Sequence, residues 1–258
     1  MSTVTRFLRK TYYWSKLEKL PIDEPIFVLT MDIDSTSLSD EKMELIQTSL
    51  KIAKEYGVPC WIFVTPDPVD GLERLCDKVK KWGGEVIIGC HGLKHTSFSE
   101  ISYEEQFSQL AASMEIFKKI GIDVFAVRTP WLSSNRHTNQ VVSDLGFRLD
   151  FSTGFGFPAK FFSFYLRPKK LKETIFVPLT TPPDVNFRNR KNSRREMSST
   201  WISYFNSIYE KCGVLSYLIH PAAFHDPFAL ESLLKHVSQQ KINFMKKDWK
   251  TAIGEKNI

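Results

Sequence analysis

Glu85-Val-Ile-Ile-Gly-Cys-His-Gly-Leu-Lys-His95 joins an apolar run to two histidines four residues apart. The part from Glu85 to Cys90 has the length and residue types of a buried strand. His91 and His95 follow where such a strand must end. In parallel α/β folds, side chains just past the strand ends build the functional site. The fold, and the meaning of the two histidines, therefore turn on whether the rest of the chain repeats strand and helix.

It does. Ile26 to Thr30 is a short apolar run, followed by Met43, Ile46, Leu50 and Ala53 at helical spacing, with Ser39 as N-cap and Gly57 as stop. Val58 to Thr65 reads as strand. Asp70-Gly-Leu-Glu73 has capping-box spacing and opens a helix with Leu72, Leu75, Val79 and Trp82 inward. After the quoted stretch, Ser102 caps a helix with Phe107, Leu110, Met114 and Phe117 along one side and Gly121 beyond its end. Val124 to Arg128 and Arg148 to Ser152 read as strands around a short helix, Asn139 to Leu145. Thr174 to Leu179 and Val214 to Ile219 add two more, with helices near Ser199 to Lys211 and Phe228 to Gln239; Lys241 to Met245 is a weak eighth strand. Thr153 to Lys172 reads as an irregular insertion over one face. Alternation of this kind implies parallel strands with crossover helices, and the count implies a (β/α) barrel, closed or partly open.

Composition agrees with a globular α/β domain: of 258 residues, 42% are hydrophobic and 25% charged. The net charge of +6 favours anionic partners without naming one. Its densest part, Arg188-Asn-Arg-Lys191 with Arg194-Arg195, reads as a solvated loop, and no nucleic-acid recognition motif accompanies it, so no nucleic-acid partner is expected. Cys60, Cys76 and Cys90 read as small buried hydrophobes, and the four cysteines form no C-x-x-C pair. Residues 1–25 read as a basic, aromatic extension and 26–258 as the barrel. The first twenty residues contain no apolar secretory core, so a cytoplasmic location is expected. They could rest on an anionic membrane surface, although a terminal helix packed on the body is the plainer reading.

On the strand-end rule the polar groups converge: Asp32 and Asp34 after the first strand, His91 and His95 after the third, Arg128 after the fourth, Asp150 and Ser152 at the fifth, His220 after the seventh. Two neutral imidazoles and one carboxylate can hold a divalent ion and leave a position open for water. His91 and His95 face one way if the residues after the strand form a helical turn. One of Asp32 and Asp34 can bind metal while the other takes a proton; His220 could protonate a leaving group, and Arg128 could keep the free carboxylate ionised and oriented. Each part has a plainer reading: H-x-x-x-H alone is weak, D-x-D often closes a turn, and His220 before Pro221 is also how a strand simply ends. The combination is harder to dismiss than its parts. His137, His225 and His236 fall in loop or helix positions and are read as non-functional.

The ordered set Thr30-Met-Asp-Ile-Asp34, Gly89-Cys-His-Gly-Leu-Lys-His95, Arg128-Thr-Pro-Trp131, Gly146-Phe-Arg-Leu-Asp-Phe-Ser152 and Leu218-Ile-His-Pro221 resembles the five motifs of the polysaccharide deacetylase group (NodB-homology, carbohydrate esterase family 4). The D-x-D form is nearer the intracellular peptidoglycan-deacetylase-like and allantoinase-like branch than the secreted chitin deacetylases. The resemblance implies a distorted (β/α)7 barrel in one domain and removal of an N-acyl group, typically acetyl, from an amino sugar. It implies Asp32 as base, Asp34, His91 and His95 as metal ligands, Arg128 orienting Asp32, Asp150 supporting Arg128, and His220 as acid. Pro130 and Trp131 would wall the groove. The cofactor would be one divalent metal ion, zinc first, with cobalt, nickel or manganese as alternatives. The substrate would be an N-acylated sugar or glycan precursor, nucleotide- or lipid-linked. Two departures bear on substrate: Asp-Ile-Asp-Ser stands where adjacent Asp-Asp-Gly is usual, and the fourth motif's aromatic is either Phe151 or Phe155. A small non-sugar amide such as a cyclic ureide, or a catalytically silent carbohydrate-binding barrel, are the alternative functions.

Overall fold

The computed structural model describes residues 12–67, 69–154, 166–187, 193–223 and 226–253. After a short strand β1 (Glu18–Lys19) comes β2 (Ile26–Ile33), then α1 (Asp40–Glu55), β3 (Cys60–Val64), α2 (Val69–Trp82) and β4 (Val86–Cys90). Next are α3 (Tyr103–Lys119), β5 (Ala126–Val127), α4 (Thr138–Asp144) and β6 (Leu149–Asp150). The chain continues through β7 (Lys169–Leu171), β8 (Thr174–Phe176), α5 (Ser193–Tyr209), β9 (Val214–Ile219), α6 (Pro227–Val237), β10 (Asn243–Phe244) and α7 (Trp249–Ile253). Ser39 and Ser102 cap α1 and α3, their hydroxyls accepting from the backbone N–H groups of Lys42 and Glu105. Helix α2 starts at Val69, so Asp70 lies inside its first turn rather than at the cap that its capping-box spacing suggests.

One sheet holds these strands, and β9, β2, β3, β4, β5, β6 and β8 run parallel in that spatial order. This is the distorted seven-stranded barrel of the sequence reading. Between its ends, β8 and β9, no backbone ladder forms among the described residues; β8 gives its other edge to β7, which pairs with β1. Threonine hydroxyls span the seam instead: Thr180 donates to the Val214 carbonyl and accepts from the Ser216 N–H, and Thr181 donates to the Ser216 carbonyl.

Period-two alternation along the strands sets two apolar layers. Ile26 and Val28, Trp61 and Phe63, Ile87, Ala126, Leu149 and Phe151, and Val214 fill the barrel interior. Their neighbours Phe27, Leu29, Cys60, Ile62, Val64, Leu215 and Tyr217 face the helices. Each such buried side chain contributes roughly 1.5–3 kcal/mol, an upper figure because unfolded chains already bury some area. The α3 face toward the barrel carries Gln106, Leu110, Ser113 and Phe117, whereas Phe107, expected inward, is 36% exposed and stacks beside Tyr103.

Residues 12–25 lie against this body. Trp14, Leu17, Leu20 and Ile22 are buried, and the Lys169 ammonium donates to the Trp14 and Leu17 carbonyls. The stretch from Leu166 to Lys172, read as irregular from sequence, supplies the antiparallel strand that holds β1. No helix among the described residues is long and apolar enough to cross a membrane. The basic segment before Tyr12 lies outside the described residues.

Candidate active site

The inward phase that fills the barrel continues past its apolar layer and turns polar. On β2 the series Ile26, Val28 becomes Thr30, Asp32 and then Asp34; on β4, Ile87 and Gly89 lead to His91; on β5, Ala126 leads to Arg128; on β9, Val214 and Ser216 lead to Leu218 and His220. The strand register alone thus aims five of the expected residues at one mouth. Asp32 lies within β2, which runs to Ile33, rather than after the strand. Gly89 is required by this packing: a Cβ there would come within 2.6 Å of the Phe63 ring, which sits under the Arg128 guanidinium at 4.6 Å.

His95 does not reach the site by a helical turn. The chain bends at Gly92, with φ of 78°, and brings the His91 and His95 ring centroids to 5.3 Å. Polar groups on α3 brace the loop: Ser113 donates to the Gly92 carbonyl, and Gln106 donates to the carbonyls of Phe98 and Ile101. Asp34 Oδ1 lies 3.2 Å from His95 Nε2 and 3.6 Å from His91 Nε2. One potential ligand atom from each of Asp34, His91 and His95 lies within 4.8 Å of the others.

The donor set fits a cation. His91 Nδ1–H donates to the Arg128 carbonyl at 2.8 Å, which leaves the lone pair of Nε2 facing inward. Asp34 Oδ1 is buried and makes no hydrogen bond, so acceptor atoms converge there with no donor between them.

Asp32 is buried, and Arg128 fixes its orientation. Arg128 Nη1 donates to Asp32 Oδ1 at 2.8 Å and to the Thr30 hydroxyl, and its Nε donates to the Phe151 carbonyl. The second oxygen, Oδ2, stands 3.8 Å from His91 Nε2 and 4.0 Å from His220 Nε2. It is therefore poised between the two imidazoles. His220 is held by Asp184, whose Oδ1 accepts from Nδ1 at 2.6 Å and whose Oδ2 accepts from the His220 backbone N–H. Burial would lower the His220 pKa, but the hydrogen bond and charge of Asp184, with Asp32 and Asp34 further off, push it up to about 9.

Asp150 differs from expectation. Leu149 and Phe151 take the inward phase, so Asp150 points the other way and makes no hydrogen bond to Arg128. Its Oδ1 accepts from the Ser152 N–H, and the Ser152 hydroxyl accepts from the Thr129 N–H, so it braces the loop after Arg128. Burial pushes the Asp150 carboxyl up to about 6. Pro130 is also displaced from its expected role: it is buried against Gly92 and does not line the cavity.

That cavity has a volume of about 320 Å³, with Asp32, Asp34, His91, His95 and His220 among its lining residues. Trp131 forms part of the wall as expected, 71% exposed, its ring centroid 4.7 Å from that of His95. Of the fourth-motif aromatics, Phe151 lies in the barrel interior and Phe155 lies outside the described residues. His137 accepts from Arg136 and His236 pairs with Asn206, both away from the cavity; His225 lies outside the described residues. Sequence reasoning missed Asp184 and Thr30. Asp184 stands 36 positions before His220 in a short 3₁₀ turn with no periodic pattern, and only its place after Pro182-Pro183 marks it.

Comparison with known proteins bears on descent and fold. The profile of the family described as polysaccharide deacetylase matches residues 21–149, half of the chain. That span includes Asp32, Asp34, His91, His95 and Arg128; Asp184 and His220 lie beyond it and are brought in by the fold. Among solved structures, a Mycobacterium smegmatis protein described as a polysaccharide deacetylase is similar at a TM-score of 0.73 and 16% identity, over 93% of this chain and 95% of its own. The Puue allantoinase is similar at 0.66 and 13% identity, over 88% and 89%. A CE4-family pseudoenzyme from Bacillus anthracis is similar at 0.57 and 13% identity, over 88% of this chain and 65% of its own. No curated protein matches. At such identities the solved structures speak for the fold alone, and the profile match speaks for descent: this chain belongs to the polysaccharide deacetylase family.

Proposed function

We propose that the chain is a metal-dependent hydrolase that removes an N-acyl group from an amino sugar or glycan precursor, with Asp32 as base and His220 as acid. Membership of the deacetylase family supports hydrolysis of this type. The observation that carries the rest is the convergence of Asp34, His91 and His95 on one point, beside a carboxylate oxygen that faces His220.

Asp34, His91 and His95 would hold the ion. Zinc suits two imidazoles and a carboxylate, and when bound it supplies Lewis acidity that lowers the pKa of water to about 7. The chain's own residues supply the proton traffic. Asp32 Oδ2 takes the proton of the attacking water, while Arg128 keeps Oδ1 engaged so that only Oδ2 is free to do so. The water oxygen bonds to the acyl carbon, the C–N bond breaks, and the nitrogen takes the proton from His220 Nε2. Asp184 keeps His220 charged at neutral pH and turns Nε2 toward the cavity. The products are a carboxylic acid and a free amine. A barrel that only bound sugar would have no use for both the Asp32–Arg128 and His220–Asp184 pairs.

The test is release of carboxylate from a panel of N-acyl amino sugars by metal-loaded protein. Asp32→Asn is expected to lose activity by about 10²–10⁴-fold while metal content stays at one ion per chain. Turnover of cyclic ureides with N-acyl sugars untouched would overturn the sugar assignment. Undiminished activity in Asp32→Asn would overturn the mechanism.

A further inference from the structure

The loop after β5 touches both histidines of the site. Its Arg128 carbonyl accepts from His91 Nδ1–H, and further along it the Trp131 ring centroid lies 4.7 Å from that of His95. Trp131 is 71% exposed, so packing of its own does little to hold it there. The backbone that carries it is held against its preference. Trp131 and Leu132, at φ of 61° and 49°, are consecutive non-glycine residues in the left-handed region, a conformation that persists only where its surroundings over-determine it. A return of Trp131 to negative φ would redirect its Cα–Cβ bond and carry the indole off His95.

Ser133 supplies the constraint. Its N–H donates to the Pro130 carbonyl at 3.0 Å, and its hydroxyl donates to the same carbonyl at 2.7 Å. That hydroxyl also accepts from the Phe98 N–H at 2.7 Å, which ties the turn to the loop that carries His95. The Ser133 carbonyl accepts in turn from the hydroxyl of Thr129, a fully buried residue whose own N–H is held by Ser152. A hydrogen bond is worth on balance about as much as one left-handed residue costs. Two such residues therefore need several bonds, and losing both that the Ser133 hydroxyl makes tips the balance.

We propose that Ser133, braced by Thr129, is a positioning residue: its hydroxyl locks the Trp131 turn, so that the indole meets substrate already in place beside His95. The part that concerns substrate rests on the hydrolase reading above. Time-resolved fluorescence anisotropy follows the indole itself, with the share of Trp131 obtained by subtracting the Trp131→Phe counterpart of each variant. In the native protein and in Ser133→Thr, Trp131 is expected to tumble only with the whole molecule. Ser133→Ala and Ser133→Val, the second with the shape of threonine but no hydroxyl, are expected to add motion faster than about 1 ns. Should these fail to fold, Thr129→Val, which removes the bond to the Ser133 carbonyl, is expected to do the same. Kinetics give the second readout, with tetra-N-acetylchitotetraose as substrate of zinc-loaded protein. Ser133→Ala is expected to raise KM by about two- to tenfold, the cost of ordering a free side chain on binding, and to leave kcat within about twofold; Ser133→Thr is expected to keep the native KM. An indole as immobile in the hydroxyl-free variants as in the native protein overturns the inference, and so does a mobile indole with KM unchanged. If the tetramer is not cleaved, the hydrolase reading fails for that substrate, and its calorimetric Kd takes the place of KM: the same ratio between variants upholds the inference, and equal or absent binding overturns it.

Discussion

Replacing Asp184 by Asn isolates what holds His220 as a proton donor. In the native site both Asp184 oxygens are committed to His220, at 2.6 Å to Nδ1 and 2.6 Å to the backbone N–H. His220 rises from the usual 6.5 to about 9 against the opposing effect of its own burial. That rise corresponds to roughly 3 kcal/mol favouring the imidazolium, most of it from Asp184. Asparagine keeps the shape and one acceptor but loses the charge. If the His220 pKa falls to about 7, the imidazolium fraction at pH 8.5 drops roughly 25-fold. The alkaline limb of kcat/KM, near pH 9 in the native protein, should therefore move down by at least about one pH unit. Stability has the same sign. A raised histidine pKa stabilises the fold fully below pH 6.5, and that contribution is lost as pH rises through 9. Urea unfolding between those values should show a decline in the native protein that Asp184→Asn lacks. An alkaline limb that stays in place, or identical pH slopes of stability, would refute the assignment of Asp184 as the residue that charges His220.

Two further substitutions test the packing that positions the site. Arg128→Met leaves Asp32 buried without its ion partner and should cost about 3–5 kcal/mol in urea unfolding, much of it recovered when Asp32→Asn is added; a loss that the double variant does not relieve would mean that Arg128 acts by packing alone. Lys169→Met removes the charged donor from the Trp14 and Leu17 carbonyls. It should cost about 1–3 kcal/mol and speed proteolysis before Ile26, whereas unchanged protection there would show that the N-terminal segment is held by apolar contacts.

What sequence could reveal here follows the physics of each signal. Val214 to Ile219 was readable to the residue, because a strand buried on both faces is a continuous apolar run. Ser39 and Ser102 were readable as caps because the capping bond is local. The site was legible to the extent that strand ends place side chains: Asp32, Asp34, His91, His95, Arg128 and His220 do meet. Asp184 was not, since its pairing with His220 is made by packing across 36 positions. The facing of Asp150 is not legible, because a motif gives neighbourhood but not phase, and Leu149 and Phe151 take the inward positions. The inward face of α3 differs for a related reason: Ser113 is buried where it donates to the Gly92 carbonyl and Gln106 where it donates to the carbonyls of Phe98 and Ile101, bonds that a count of apolar residues cannot see.

The claim on which the functional account depends is that Asp34, His91 and His95 grip one ion, and anomalous diffraction at the zinc edge from crystals grown with zinc tests it most directly. The account predicts a single strong peak about 2.0–2.2 Å from a carboxylate oxygen of Asp34 and from Nε2 of both His91 and His95, and its loss in His91→Ala. A peak bound elsewhere, or zinc taken up equally by His91→Ala, would contradict it.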